Sequence, residues 1–236
     1  MIQLAYMNWL KNIFKKQLPP LPDTPYWQAY QQSFETGYTQ KTGIRNIRFV
    51  VLDTETTGLD AKEDKILSIG AVAVKNQQII IADRFEYYLK QVYTGNGESI
   101  KIHGILPKHN LNGLAAKEVL LLLLAYLQNS IIVGHHIGFD LAVLNRAFQE
   151  YLGGQLRNQI LDTNQLAKRV NSPFYKTAIG QEQNFSLDAL CKQYGVPIYD
   201  RHTASGDALI TALLFLKLVG RLEGKGVLTL KDLLKG

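Results

Sequence analysis

Phe49-Val50-Val51-Leu52-Asp53-Thr54-Glu55-Thr56-Thr57-Gly58-Leu59 is the stretch whose reading decides the fold. Four apolar residues without alternation suit a strand covered on both faces. Asp53 ends the run and Glu55 follows two residues later, so in extended backbone the two carboxylates project to one side. Like charges at close range raise each other's pKa unless something compensates, and a divalent cation is the simplest compensation. The same triplet also fits a turn that Asp53 caps and Gly58 closes. The rest of the chain has to decide between the two.

Downstream, the pattern alternates between strands and helices. Residues 65–74 and 78–89 read as a second and a third strand, joined by a turn around Asn76. Residues 114–128 read as a helix and 130–133 as a short buried strand ended by Gly134. A helix is expected over 139–151, ended by Gly153-Gly154, and a short strand over 159–161 running into Asp162. Residues 187–194 and 204–219 read as helices, and the polar stretch 171–184 as a loop. Three strands in a row followed by helix-strand alternation imply an α/β fold, a mixed sheet with helices on its faces.

Residues 1–46 read as a helical extension. Trp9, Leu10, Ile13 and Phe14 recur at helical spacing, with Lys11, Lys15 and Lys16 on the other side. Leu18-Pro19-Pro20-Leu21-Pro22 then breaks the helix. A second helix is expected from a cap at Asp23 or Thr24, through Pro25, to Gly37, with Tyr26, Tyr30 and Phe34 as one aromatic stripe. Such stripes usually face the protein's own core, and docking to a partner is the alternative.

Composition narrows the function. The formal net charge is +6 and the sequence pI about 9.2, which suits a polyanionic partner such as nucleic acid. One cysteine, Cys191, excludes a disulfide framework or a cysteine-built zinc site within one chain and fits a reducing cytoplasm. No apolar run reaches the length of a membrane span, and the first ten residues lack a secretory signal, so the expectation is a cytoplasmic protein with no membrane partner.

Three further positions bear on the carboxylate pair. Asp140 stands where a helix begins after Gly134-His135-His136-Ile137-Gly138-Phe139, and His202 and Asp207 flank Thr203-Ala204-Ser205-Gly206 at the start of another. Singly, each is a helix cap or a surface histidine. Together, Asp53, Glu55, Asp140 and Asp207 supply four hard oxygen ligands, and His202 supplies a base that titrates near neutrality. Four carboxylates favour a pair of Mg²⁺ or Mn²⁺ ions, which about 4 Å apart can clamp the attacking and leaving oxygens of a phosphoryl displacement.

These residues carry a resemblance. The chain is similar to the DnaQ-like 3′–5′ exonucleases of the DEDDh group, related to the proofreading epsilon subunit of bacterial DNA polymerase III. The opening stretch matches the first motif, Gly134 to Asp140 the second, and His202-Thr203-Ala204-Ser205-Gly206-Asp207 the third, with the five-residue step from His to Asp that marks the histidine subgroup. Ile66-Leu67-Ser68-Ile69-Gly70-Ala71-Val72 resembles the family's second strand, and Ile102-His103-Gly104-Ile105 its His-Gly-Ile segment. His136 stands where members often carry Asn.

The resemblance spans roughly 47–220, leaving 1–46 as the extension and 221–236 as a short tail. It implies a ribonuclease H-like fold and release of nucleoside 5′-monophosphates from a 3′ end, DNA being the favoured substrate. It implies two divalent cations on Asp53, Glu55, Asp140 and Asp207, with His202 as general base. Thr54, Thr56, Gly58 and Leu59 would line the terminal nucleotide, His103 and Phe139 would touch the substrate, and Asp162 and His136 would support the site. The alternatives are an RNA-trimming member of the same family, a proofreading subunit that meets a polymerase through residues 1–46, and an inactive nucleic-acid-binding module. The last conflicts with a ligand and base set from which nothing is missing.

Overall fold

A computed structural model describes residues 19–91, 110–171 and 185–235. Five strands form one sheet: β1 (Phe49–Thr56), β2 (Ile66–Lys75), β3 (Gln78–Tyr88), β4 (Ile131–Gly134) and β5 (Ile160–Asp162), in the order β3-β2-β1-β4-β5. β1, β2 and β3 pair antiparallel, whereas β4 and β5 run parallel to β1. Asn76 and Gln77 both take positive φ, 50° and 59°, which closes the β2–β3 hairpin tightly.

Seven helices are described: α1 (Pro25–Gln32), α2 (Ala116–Leu127), α3 (Gly138–Leu152), α4 (Thr163–Asn171), α5 (Leu187–Tyr194), α6 (Ala204–Glu223) and α7 (Leu230–Leu234). β1 is central and buried on both faces, as its unbroken apolar run requires. Phe49 and Val51 pack into a core with α4, α5, α6 and α7, and Val50 and Leu52 into a second core with α1, α2 and α3. The expected mixed sheet between helical layers is therefore the fold.

Several details differ from the sequence reading. Thr24 stands at the N-cap of α1 but makes no side-chain cap bond, Asp23 accepts from the Gln28 side chain, and the helix stops before Gly37. Its most buried residue is Trp27, whose Nε1 donates to the Leu152 carbonyl at 2.8 Å, while the Tyr30 hydroxyl reaches Asn158 Oδ1 at 2.6 Å. The tail is tied down too: Leu230 N donates to Thr42 O at 2.9 Å, and Leu230 and Leu233 are buried. The expected helix around Trp9, the His103 segment and most of 171–184 lie outside the described residues.

Candidate active site

Strand parity distributes the site. Continuing the alternation of β1, Asp53 and Glu55 fall on the face of Phe49 and Val51, beneath α6, and Thr54 falls on the face of Val50 and Leu52, beneath α3. The ends of all three parallel strands converge here, because Asp140 follows β4 and Asp162 closes β5. In open α/β sheets this carboxyl edge is where ligands bind.

On the α3 side, Asp140 is drawn to the sheet. Its Oδ1 accepts from Thr54 N at 2.9 Å and from Thr54 Oγ1 at 2.7 Å, so it serves as a tie between α3 and β1 rather than as a cap. The Thr54 hydroxyl is thereby committed to Asp140.

On the other side, the N-terminus of α6 lies directly on the sheet. Gly70, the cross-strand partner of Asp53, makes this possible, since a Cβ there would fall within the backbone of Ala204 and Ser205. Thr203 performs the capping, its Oγ1 accepting from Gly206 N at 3.1 Å and donating to Asp200 O at 2.8 Å. Asp207 is thus released from cap duty and turned toward β1. Asp200 and His202 take positive φ, 52° and 63°, folding the preceding turn sharply enough to set His202 on the surface beside Asp207.

One carboxylate oxygen from each of Asp53, Glu55 and Asp207 lies within 4.8 Å of the other two. Burial raises the Asp53 carboxyl well above the usual carboxylate range, and Asp140, Asp207 and Glu55 push it further, against an opposing pull from Arg201. Glu55 is pushed up to about 7, by burial first and then by Asp207 and Asp140. Asp140 rises to about 6 through burial, with the Thr54 hydrogen bonds pulling the other way. Asp207 Oδ1 is buried with no hydrogen-bond partner. An unpaired buried carboxylate oxygen beside two further carboxylates fits a hard divalent cation, which would supply the positive charge the cluster lacks.

The remaining candidates are spread around this centre. Thr56 Oγ1 donates to the Gly58 carbonyl at 2.6 Å, and a Cβ on Gly58 would strike the Asp64 carboxylate. Asp64 itself accepts from Thr57 Oγ1 and Asp60 N, both at 2.7 Å, and so shapes the loop that leaves Leu59 91% exposed at the cleft rim. Phe139 is half-buried against the second core. Asp162 Oδ1 accepts from His136 N at 3.1 Å and Asn164 N at 2.9 Å, and the His136 ring stands near Asn164 at 3.3 Å. Sequence reasoning passed over Gly70 as a close-approach residue, Asp64 as the loop's organiser and Arg201, which binds Asp207. A glycine inside a strand was a usable signal for the first. The other two are visible only through tertiary contacts.

A mixed sheet in this strand order, with acidic residues gathered at the ends of its parallel strands, defines a ribonuclease H-like hydrolase fold. The exonuclease family model, RNase_T, matches residues 50–215, and the chain belongs to that family, the DnaQ-like 3′–5′ exonucleases. It is 32% identical over 205 residues to DNA polymerase III PolC-type of Thermotoga petrophila, a match covering 87% of this chain and 14% of the relative. The corresponding match to PolC-type polymerase of Staphylococcus aureus is 29% identical, covering 83% of this chain and 13% of the relative. The chain therefore corresponds to a small part of those polymerases. Among solved structures, E. coli exonuclease I in complex with a dT13 oligonucleotide superposes with a TM-score of 0.63 at 19% identity, covering 77% of this chain and 43% of that one. The zinc-bound form of its single-stranded DNA complex gives the same TM-score and identity, covering 76% and 42%. Among the described residues, no helix is long and apolar enough to cross a membrane.

Proposed function

We propose that this protein shortens DNA from the 3′ end, releasing nucleoside 5′-monophosphates with the help of two divalent cations, Mg²⁺ or Mn²⁺. The observation that carries this reading is the meeting of Asp53, Glu55 and Asp207, with Asp207 Oδ1 left unpaired. Asp140 is the fourth candidate ligand, held ready by Thr54. Bound there, the two cations would stabilise the charge that builds on the attacking and leaving oxygens of the scissile phosphodiester.

The other steps belong to the chain itself. His202, exposed beside the cluster, takes the proton from the attacking water. The exposed Leu59, with the Thr56–Gly58 turn behind it, offers an apolar surface to the terminal nucleotide, and the half-buried Phe139 is a further substrate contact. Asp162 and His136 hold the β4–α3 turn from behind. The net charge of +6 favours a polyanion. DNA is favoured over RNA because the structural neighbours bind dT13 and single-stranded DNA and the sequence relatives are DNA polymerases. Those polymerase relatives also support a second reading, a proofreading unit that works beside a polymerase in the cytoplasm.

The test uses 5′-labelled single-stranded and duplex DNA and RNA of one sequence. Mg²⁺-dependent ladders that shorten from the 3′ end, fastest on single-stranded DNA, are expected. Internal cuts as first products would contradict the exonuclease assignment, and faster loss of RNA would reverse the substrate preference.

A further inference from the structure

Arg201 is joined to two carboxylates from two helices. Its Nη1 donates to Asp207 Oδ2, its Nε to Asp188 Oδ1 at 2.7 Å, and its Nη2 to Asp188 Oδ2 at 3.4 Å. Asp188 sits in the first turn of α5 and Asp207 in the first turn of α6, so one guanidinium spans both helix starts. The planar fork of arginine suits this task, and the point charge of lysine does not.

We infer that Arg201 is a positioning residue for the metal site: it fixes Asp207 by occupying Oδ2, so that Oδ1 is presented to the cation, and Asp188 anchors the guanidinium that does so. The inference rests on the divalent-metal reading of the cluster.

Three observations support it. The two oxygens of Asp207 are treated differently: Oδ2 accepts from Arg201 and from His202 N at 3.3 Å, whereas Oδ1 is buried and receives nothing. The Asp207 end of the clamp is shielded, with side-chain exposures of 22% for Arg201 and 8% for Asp207, so solvent does not screen it as it does Asp188 at 58%. Finally, Asp188 offsets part of the Arg201 charge, which by itself pulls against the carboxylates of the cluster.

The test is titration of the metal-free 236-residue chain with Mn²⁺ by calorimetry, alongside single-stranded DNA turnover and a circular dichroism check of folding. Loss of an outer partner of a metal ligand typically weakens metal binding by about 10–100-fold, and Arg201→Ala is expected in that range. Arg201→Lys, which keeps the charge and loses the fork, is expected to remain weakened. Asp188→Ala is expected to weaken Mn²⁺ binding less than Arg201→Ala, and to add nothing in the Arg201→Ala background, because both act through one guanidinium. Wild-type Mn²⁺ affinity in folded Arg201→Ala would overturn the inference, as would full rescue by lysine or additive losses in the double variant. No Mn²⁺ binding by the wild type would instead overturn the metal reading itself.

Discussion

Asp53 faces Gly70 across the β1–β2 register, and the missing side chain of Gly70 is what allows the start of α6 to rest on the sheet above Asp53. A carboxylate on one strand thus meets a carboxylate on a helix more than 150 residues further along, through a contact that no side chain makes.

Gly70→Ala is therefore expected to act at the site as well as on the fold. A Cβ must displace Ala204 and Ser205 backbone, and such overpacking costs roughly 1–3 kcal/mol. The displaced helix carries Asp207 away from Asp53. Loss of Mg²⁺-dependent activity together with a lowered melting temperature is expected, and unchanged activity would show that the close approach is dispensable.

Asp53→Asn should separate stability from function. Asp53 is raised by burial and by three neighbouring carboxylates, so its charge opposes folding in the absence of metal. Removing that charge is expected to stabilise the metal-free protein by about 0.5–2 kcal/mol, the usual range for a single stabilising substitution. Hydrolysis should fall by more than about a hundredfold, since each 1.36 kcal/mol of transition-state stabilisation is worth a factor of ten. Urea melts in EDTA and turnover in Mg²⁺ measure the two effects on one sample.

The pH dependence of the metal-free protein follows from Glu55. Its carboxyl ionises near 4.5 in the unfolded chain and near 7 in the fold. Between those values the folded state binds more protons at Glu55, so the contribution of Glu55 to stability falls as pH rises through the window, and the raised Asp53 and Asp140 act in the same direction. Divalent cations need the ionised carboxylates, so the melting-temperature rise produced by Mg²⁺ is expected to be small near pH 5 and larger near pH 8. Thermal melts with Mg²⁺ and with EDTA across this range would show it, and a Mg²⁺ effect that ignores pH would argue against these ligands.

His202→Ala is expected to slow hydrolysis near neutral pH by about 10²–10⁴-fold, the usual contribution of a general base. Because the ring is exposed, little stability should be lost. Mn²⁺ binding should persist, and an unchanged pH–rate profile would remove His202 from its role.

Much of this fold is legible because burial dictates pattern. The unbroken run at Phe49 marks the central strand, and the apolar stretch from Ile66 to Val74 turns at Asn76 into a third strand where expected. Helix α4 was missed because strand β5 passes straight into it at Thr163 with no turn residue between, and its Thr, Asn and Gln residues obscure the buried Leu166, Ala167 and Val170. The aromatic stripe of Tyr26, Tyr30 and Phe34 leaves out the position fully inside, Trp27, three residues before Tyr30 on the same face. Residues 204–219 were expected to close α6, but the helix continues to Glu223 because Leu222 still has core to fill. At the site, strand spacing makes the pair Asp53 and Glu55 legible, whereas Asp140 and Asp207 read as carboxylates at helix starts that the family resemblance joins to that pair. The structure brings three of them together and sets the fourth against Thr54. Arg201 and Asp188 lie 13 residues apart, and only folding makes them partners.

The proposed metal centre is tested most directly by counting ions. Mn²⁺ titrated calorimetrically into the metal-free full chain is expected to saturate at two ions per chain in the wild type, with one or both sites lost in Asp53→Asn. No saturable binding, or identical binding by Asp53→Asn, would contradict the assignment of this carboxylate cluster as the metal site of the enzyme.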